Sequence, residues 1–305
     1  MSKQIRIGTR KSHLAQWQAN FIQTKIRELG YDAKIVLIES SGDKDLTTPL
    51  YEIGTQGIFT KTLDTALLNN QVDIAVHSLK DVPTALPNGL ILAAVPLRAN
   101  ALDILVYKDN KPNQTDYTIA TSSLRRKAQW LHKYPQHNIV NIRGNVNRRL
   151  EKLENNKAWN GAIFAEIGLQ RLGINTIKKE VLDWMIPSPA QGALGVICRK
   201  NEQEIENICT QINHQNSNIE VQIERLILRA CFGGCTLPLG AFAKINNSEV
   251  NIIANITSLD GKQMVKINEI VALTNAKEIA DKMSKKLLSN GGQEILYTIN
   301  QNKNA

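Results

Sequence analysis

Residues 5–39 read IRIGTRKSHLAQWQANFIQTKIRELGYDAKIVLIE, and their periodicity decides the fold. The stretch opens on a short apolar strand, Ile5 to Gly8, crosses the loop TRKS and enters a helix from about Ser12 to Leu29. Ser12 suits an N-cap, where a hydroxyl accepts from an unpaired backbone N–H, and Gly30 supplies the stop signal. Leu14, Trp17, Phe21, Ile22, Ile26 and Leu29 share one helical face and are the expected core contacts. A second strand, AKIVLIE (33–39), completes the β-α-β order of a mostly parallel sheet.

The rhythm continues outward. A polar loop around SSGDKDLTTP leads to a helix from Phe59 to Leu68, a strand DIAVHS (73–78) and a strand-like ILAAVPL (91–97). From about residue 100 the theme recurs: ALDILVYK and YTIATS read as strands, SLRRKAQWLHKY as a helix opening at Ser123, NIVNIRG as a strand ending at Gly144, NVNRRLEKLEN as a helix and GAIFAE as a strand. GALGVICR (192–199) is another strand, followed by charged helices over about 201–214 and 218–231. Beyond Leu239 the period shortens. AFAKI, EVNIIANITS and KQMVKINEIVA read as antiparallel strands, the last two joined by a turn at 259–262, with a helix over about 275–289 and a loose polar tail, INQNKNA. The expected class is α/β, two lobes plus a small C-terminal α+β domain.

With 305 residues, 42% hydrophobic and 21% charged, the chain can bury a core in each of two or three domains. No apolar run reaches bilayer length, so no membrane partner is expected. The start, MSKQIRIGTR, carries no apolar signal segment, which makes the cytoplasm the expected compartment and free thiols the expected state of Cys198, Cys209, Cys231 and Cys235. Cys231 and Cys235 form a C-x3-C with no second ligand pair, and the five histidines are scattered, so no metal site is expected. The net charge of +9 predicts attraction to an anion. A nucleic acid would account for the charge but not for its location, and no helix-turn-helix or RNP-like aromatic motif is present.

The arginines sit where open α/β sheets bind ligands, at strand ends that feed helix N-termini. Arg10 lies in GTRKS, Arg125 and Arg126 in ATSSLRR, and Arg143, Arg148 and Arg149 in NIRGNVNRR. A guanidinium matches a carboxylate or phosphate through two parallel hydrogen bonds, and GxGxxG and GxxxxGKS are both missing, which favours carboxylates. In AVHSLKDVP (75–83) a strand ends at Lys80-Asp81 before a proline turn. That position suits either local capping or an ionised carboxylate in the crevice beside an ammonium group. Finally, CFGGCTLPLG (231–240) places Cys235 directly after two glycines, a bent open loop that a packing cysteine does not need.

HSLKDVP, ATSSLRR, NIRGNVNRRL, PAQGALG and the GGC loop, in that order and preceded by GTRKSHLA, resemble the porphobilinogen deaminase family. The resemblance implies two lobes like those of periplasmic binding proteins and a third α+β domain. It places the limits at 1–96 with 192–214, 97–191, and 215–305. It also implies a transferase that condenses four porphobilinogen molecules head to tail, releasing ammonia, to give hydroxymethylbilane in haem biosynthesis. By the same resemblance, the chain would grow on a dipyrromethane cofactor held by a thioether to Cys235, and the enzyme would work as a cytoplasmic monomer.

Each pyrrole ring brings an acetate and a propionate, which the arginines would neutralise. By the resemblance, Asp81 is the catalytic carboxylate, holding pyrrole N–H groups, facing the charge that develops as ammonia leaves, and moving a proton. Lys80, Asp81, Ser123, Arg125 and Arg126 would contact the cofactor. Arg10, Ser12, Arg143, Arg149, Arg171 and Gln191 would line the substrate and elongation site, shaped by Thr121 and Gly144, with Phe59 in a covering loop and Arg148 left to solvent. That loop departs from the family's lysines at Glu52 and Gln56. Cys198, Cys209 and Cys231 read as packing residues. A simple polycarboxylate-binding protein, the competing class, would need neither the glycine-hinged thiol nor a free carboxylate among arginines.

Overall fold

The computed structural model describes residues 4–39, 60–108, 117–231 and 237–304. The opening stretch forms strand β1 (Ile5–Arg10), helix α1 (His13–Glu28) and strand β2 (Ala33–Ile38), with β1 and β2 parallel. Ser12 caps α1, its hydroxyl accepting from the Ala15 N–H at 3.3 Å. The helix is rotated from the expected face: Ala15, Ala19, Ile22 and Ile26 are buried, whereas Trp17 and Leu29 are 37% and 36% exposed. Alanines at 15 and 19 present little bulk toward the sheet, and Trp17 stacks instead on Phe21, ring centroids 5.7 Å apart and planes 8° from parallel.

Next come α2 (Lys61–Leu68), β3 (Ile74–Ser78), a 3-10 turn over Leu79–Asp81 and β4 (Leu90–Ala94). The second unit runs β5 (Asp103–Tyr107), β6 (Thr118–Ala120), α3 (Leu124–Lys133), β7 (Asn138–Val140), α4 (Val146–Asn155), β8 (Gly161–Ala165), α5 (Glu166–Gln170) and β9 (Lys179–Val181). β7 stops at Val140, short of the expected Gly144. Neither α5 nor β9 announces itself in the sequence, since five and three residues are too few to display a period.

The chain then returns through β10 (Leu194–Arg199), α6 (Gln203–Gln211) and α7 (Gln215–Ala230). β11 (Leu239–Asn246), β12 (Glu249–Thr257), β13 (Met264–Ala272), α8 (Ala276–Leu287) and α9 (Gln293–Asn304) close it. The tail expected to be loose is the end of α9. Ile295, Leu296 and Ile299 are buried in the third core, so the apolar side of that helix outweighs its polar last turn.

The described strands form three sheets, ordered β2-β1-β3-β10-β4, β7-β6-β8-β5-β9 and β11-β12-β13. In each five-stranded sheet two pairings are parallel and two antiparallel. The antiparallel ones involve β10 in the first sheet and β5 in the second. β10, distant in sequence, thus completes the first sheet between β3 and β4. The return passes through Gly192, whose φ of +88° and whose distance from the Ala99 carbonyl, 2.6 Å from where a Cβ would stand, leave no room for a side chain.

A buried ion pair fastens this junction. Arg98 donates to both carboxylate oxygens of Glu224 on α7 at 2.6 and 3.1 Å and through Nε to the Gln191 carbonyl at 2.9 Å. Glu224 also accepts from the backbone N–H groups of Ala190 and Ala243 at 2.6 and 2.8 Å. One carboxylate therefore ties the chain crossings to the third sheet, with every lone-pair direction occupied as its burial requires.

Candidate active site

The carboxyl ends of the parallel strands in both lobes converge on one group of charges. From the first lobe, β3 ends in the 3-10 turn that carries Lys80 and Asp81. From the second, β6 ends just before Thr121, and Ser123 caps α3, accepting from the Arg126 N–H at 3.4 Å. Thr121 is buried and its hydroxyl accepts from the Ser123 N–H at 3.2 Å, which fixes the entry into the helix.

Arg125 and Arg126, in the first turn of α3, meet a partner that the sequence does not announce. Asp103, the first residue of β5, is fully buried between them. Its Oδ2 accepts from Arg125 Nη1 at 2.7 Å, and its Oδ1 from Arg126 Nη2 and Nε at 2.8 and 3.1 Å. Arg125 also donates to the Ile186 carbonyl at 2.8 Å, and Arg126 to that of Ile163 at 2.9 Å. Both guanidiniums, read from the sequence as ligand contacts, are thus built into the wall of the second lobe. Each has five N–H donors, so an internal carboxylate orients it without exhausting it.

Gln191 carries the network across the cleft. Its amide nitrogen donates to the Ala101 carbonyl at 2.6 Å and to Asp103 Oδ1 at 2.9 Å, and its oxygen accepts from Lys80 Nζ at 3.3 Å. The electrostatics follow. Burial alone would push the Asp103 carboxyl up, but the two arginines and the Gln191 amide outweigh it and hold it well below the usual carboxylate range. Burial pushes the Lys80 ammonium down to about 8 against the pull of Asp81.

Arg149, on α4, donates through Nε to the Gly144 carbonyl at 2.7 Å. Burial lowers its guanidinium to about 10, Arg126 and Arg143 acting in the same sense and Asp81 in the opposite one. Gly144 turns at φ +119°, and a Cβ there would press on the Arg148 side chain at 3.0 Å. Arg148 itself is exposed, as expected. Arg10 ends β1, and its charge joins burial in lowering the neighbouring His77 to about 3, which keeps that imidazole neutral.

Arg171 follows α5, donates to the Gly192 carbonyl at 3.0 Å and lies 5.2 Å above the Trp17 ring of the first lobe. Burial brings its guanidinium to about 10. Two donors in this wall, Arg143 Nη1 and Arg171 Nε, are buried with no hydrogen-bond partner among the described residues. Buried donors are nearly always paired, so these point to an acceptor supplied by a ligand.

Phe59, Cys235, Glu52 and Gln56 lie outside the described residues. Cys198, Cys209 and Cys231 are free and buried, and burial raises the Cys231 thiol to about 12, the condition of an inert packing cysteine. A cavity of about 610 Å³ lined by α4 and the residues after it, Arg148, Lys152, Lys157 and Trp159 among them, shares no residue with the Lys80–Gln191–Asp103 network.

Known proteins share this chain's sequence along nearly its full length. Residues 5–207 match the family model described as porphobilinogen deaminase, dipyromethane cofactor binding domain, and residues 218–289 match the porphobilinogen deaminase C-terminal domain. The porphobilinogen deaminase of Geotalea daltonii is 38% identical over 305 residues, covering 98% of this chain and 96% of the relative. That of Geobacter sulfurreducens is 37% identical, covering 97% and 95%. The probable porphobilinogen deaminase of Methanocella arvoryzae is 38% identical, covering 95% and 97%. Among solved structures, the periplasmic VFT2 domain of Bordetella pertussis BvgS and the methionine binding protein MetQ each align at TM-score 0.41 and 14% identity, over 67% and 68% of this chain and 84% and 89% of their own.

Proposed function

The chain belongs to the porphobilinogen deaminase family, transferases that condense four porphobilinogen molecules into hydroxymethylbilane with release of ammonia, and on that premise we propose the following roles for its residues. The cofactor of this family is dipyrromethane. The unpartnered guanidinium donors of Arg143 and Arg171 carry the reading, because a ligand bearing an acetate and a propionate on every ring supplies the acceptors they lack.

Cys235 is the point of covalent attachment. Once bound, the dipyrromethane supplies the free pyrrole carbon at which the chain is extended. Lys80, Ser123, Arg125 and Arg126 hold its carboxylates. The last two are pre-oriented by Asp103, so binding does not have to immobilise them. Arg10, Ser12, Arg143, Arg149, Arg171 and Gln191 receive the substrate's side chains, and Phe59 covers the site.

Asp81 does the chemistry. Its carboxylate accepts from pyrrole N–H groups, faces the positive charge that develops as the aminomethyl group loses ammonia, and takes the proton released when the new carbon–carbon bond is made. Its charge acts on Lys80 and Arg149, opposing in both the lowering that burial causes. The working unit is a single cytoplasmic chain, with domain limits at 1–96 with 192–214, 97–191, and 215–305.

The test is Asp81→Asn. The amide keeps the shape and loses the charge, so the variant is expected to carry two pyrrole units at Cys235 by intact mass and peptide mapping while losing most of its turnover. Turnover near that of the parent would remove Asp81 from this role, and a bare thiol in protein made with porphobilinogen present would remove Cys235 from its own.

A further inference from the structure

The turn that displays Lys80 and Asp81 is gripped from behind by a residue with no part in the scheme above. Arg225, on α7, donates through Nη1 to the carbonyls of Leu79 and Val82 at 3.3 and 2.9 Å, and through Nη2 to that of Pro83 at 2.6 Å. These carbonyls bracket Asp81 in the chain, one before it and two after. From these contacts we infer that Arg225 is a positioning residue for the reaction: it fixes the backbone on both sides of Asp81 and so sets where the carboxylate stands relative to the arginines of the opposite lobe.

The placement of α7 supports this. Val221 and Arg225 are four residues apart and so share one face of the helix. Val221 packs in the cluster that contains Leu79 and Val82, beneath the same turn. Ile223, Ile227 and Cys231, also at four-residue spacing, face the core of the third domain. One helix therefore touches the catalytic turn with one side and the third domain with the other, and it ends five residues before Cys235. Arg225 thereby joins, through a single rigid element, the segment that presents the carboxylate to the segment that carries the attachment point. A 3-10 turn has weaker internal hydrogen bonds than an α-helix and is easily displaced, so an external clamp on its carbonyls matters more here than it would within a longer helix. A lysine would keep the charge but lose the planar fork that reaches these carbonyls together.

The inference rests on the assignment of Asp81 above, and the experiment separates the two. Arg225→Met and Arg225→Lys are made beside Asp81→Asn, and each holo-protein is checked for two bound pyrrole units by intact mass. For Arg225→Met the expected result is a fall in kcat of about 10- to 100-fold with KM within about threefold, because a reacting group displaced by about 1 Å loses rate while substrate binding is kept. Arg225→Lys is expected to recover part of that loss.

Parental kcat in Arg225→Met, or a rise in KM with kcat unchanged, would overturn the inference. If Arg225→Met fails to fold or to acquire the cofactor, Arg225→Lys decides alone: a severalfold loss of kcat at constant KM supports the clamp, and parental kinetics exclude it. Asp81→Asn with parental turnover would sink the underlying reading; an inactive Asp81→Asn beside a fully active Arg225→Met would sink only the inference about Arg225.

Discussion

Two buried aspartates in this chain each hold two arginines, at opposite ends of their sheets. Asp73 precedes β3, at the amino ends of the parallel strands of the first lobe; it accepts from Arg6 through the backbone N–H, Nε and Nη2 at 2.8, 3.0 and 2.8 Å, and from Arg199 at 3.4 Å. Asp103 begins β5 opposite Ala165, level with the carboxyl end of β8. The first network is closed by a second acid, Glu202, paired with Arg199, so two cations face two anions. The second has two arginines on one carboxylate, and Gln191 links it to Lys80. The same triad is thus a neutral staple at one end and a standing excess of positive charge at the other. Open α/β sheets bind ligands at their carboxyl ends, and among these described residues it is the carboxyl end that gathers more cations than anions around its buried aspartate.

The largest effect expected to separate the two comes from Asp103→Asn. It leaves two guanidiniums, 4% and 6% exposed, without a counter-charge, and removal of one partner from such a buried pair costs about 3–5 kcal/mol. Urea unfolding of parent and variant at neutral pH measures it; a loss under about 1 kcal/mol would mean that water or neighbouring groups replace the carboxylate. The pH dependence has a definite sign. The folded carboxyl sits below its unfolded value of about 3.9, so its contribution is complete above that pH and is lost as pH falls from there toward the folded pKa. The stability gap between parent and Asp103→Asn is therefore expected to narrow as pH is lowered from 5 to 3.

Asp73→Asn sharpens the contrast with a smaller effect. Arg6 keeps its bonds to the Asn70 carbonyl and side-chain oxygen at 2.7 and 2.8 Å and is 25% exposed, while Arg199 keeps Glu202 and the Leu67 and Val72 carbonyls. A stability loss of about 1–3 kcal/mol is expected, at the scale of an unsatisfied buried group, with kcat/KM within about twofold of the parent. A tenfold fall in kcat/KM in a folded, cofactor-bearing variant would break the division into staple and site.

Much of this was legible in the sequence, and what was missed has physical causes. The N-caps at Ser12 and Ser123 and the β-α-β order follow from local chemistry, and the structure keeps them, whereas the strand expected to end at Lys80-Asp81 stops at Ser78 and passes that pair to a 3-10 turn. Asp103 was invisible because a single acid at the head of ALDILVYK resembles any strand end; its meaning depends on arginines more than twenty residues away. Arg225 likewise sits in an ordinary charged helix, and only the fold reveals that it meets carbonyls more than 140 residues earlier. Trp17 misled in the other direction: hydrophobicity assigned it to the core, whereas its ring, 37% exposed, meets Phe21 and the guanidinium of Arg171. Periodicity registers burial along one element, whereas this cleft is assembled from partners on different ones.

The smallest effect lies with Lys80, and it tests whether the excess charge at the carboxyl end is what the reaction uses. Its ammonium is lowered to about 8 by burial, so raising pH through that value removes a cation from the Asp103 side of the comparison and leaves the Asp73 side untouched. kcat/KM for the free holo-enzyme is expected to fall by severalfold along an alkaline limb near pH 8 that Lys80→Arg displaces upward. Stability moves the opposite way. Between about 8 and the unfolded value of about 10.4 the unfolded chain binds the proton more tightly, so deprotonation relieves a burial penalty and the fold gains from Lys80 as activity declines. A limb unchanged in Lys80→Arg would assign the loss to another group; a limb that moves while unfolding free energy rises over the same interval would show that the charge at this end of the sheet is held against stability, for the ligand.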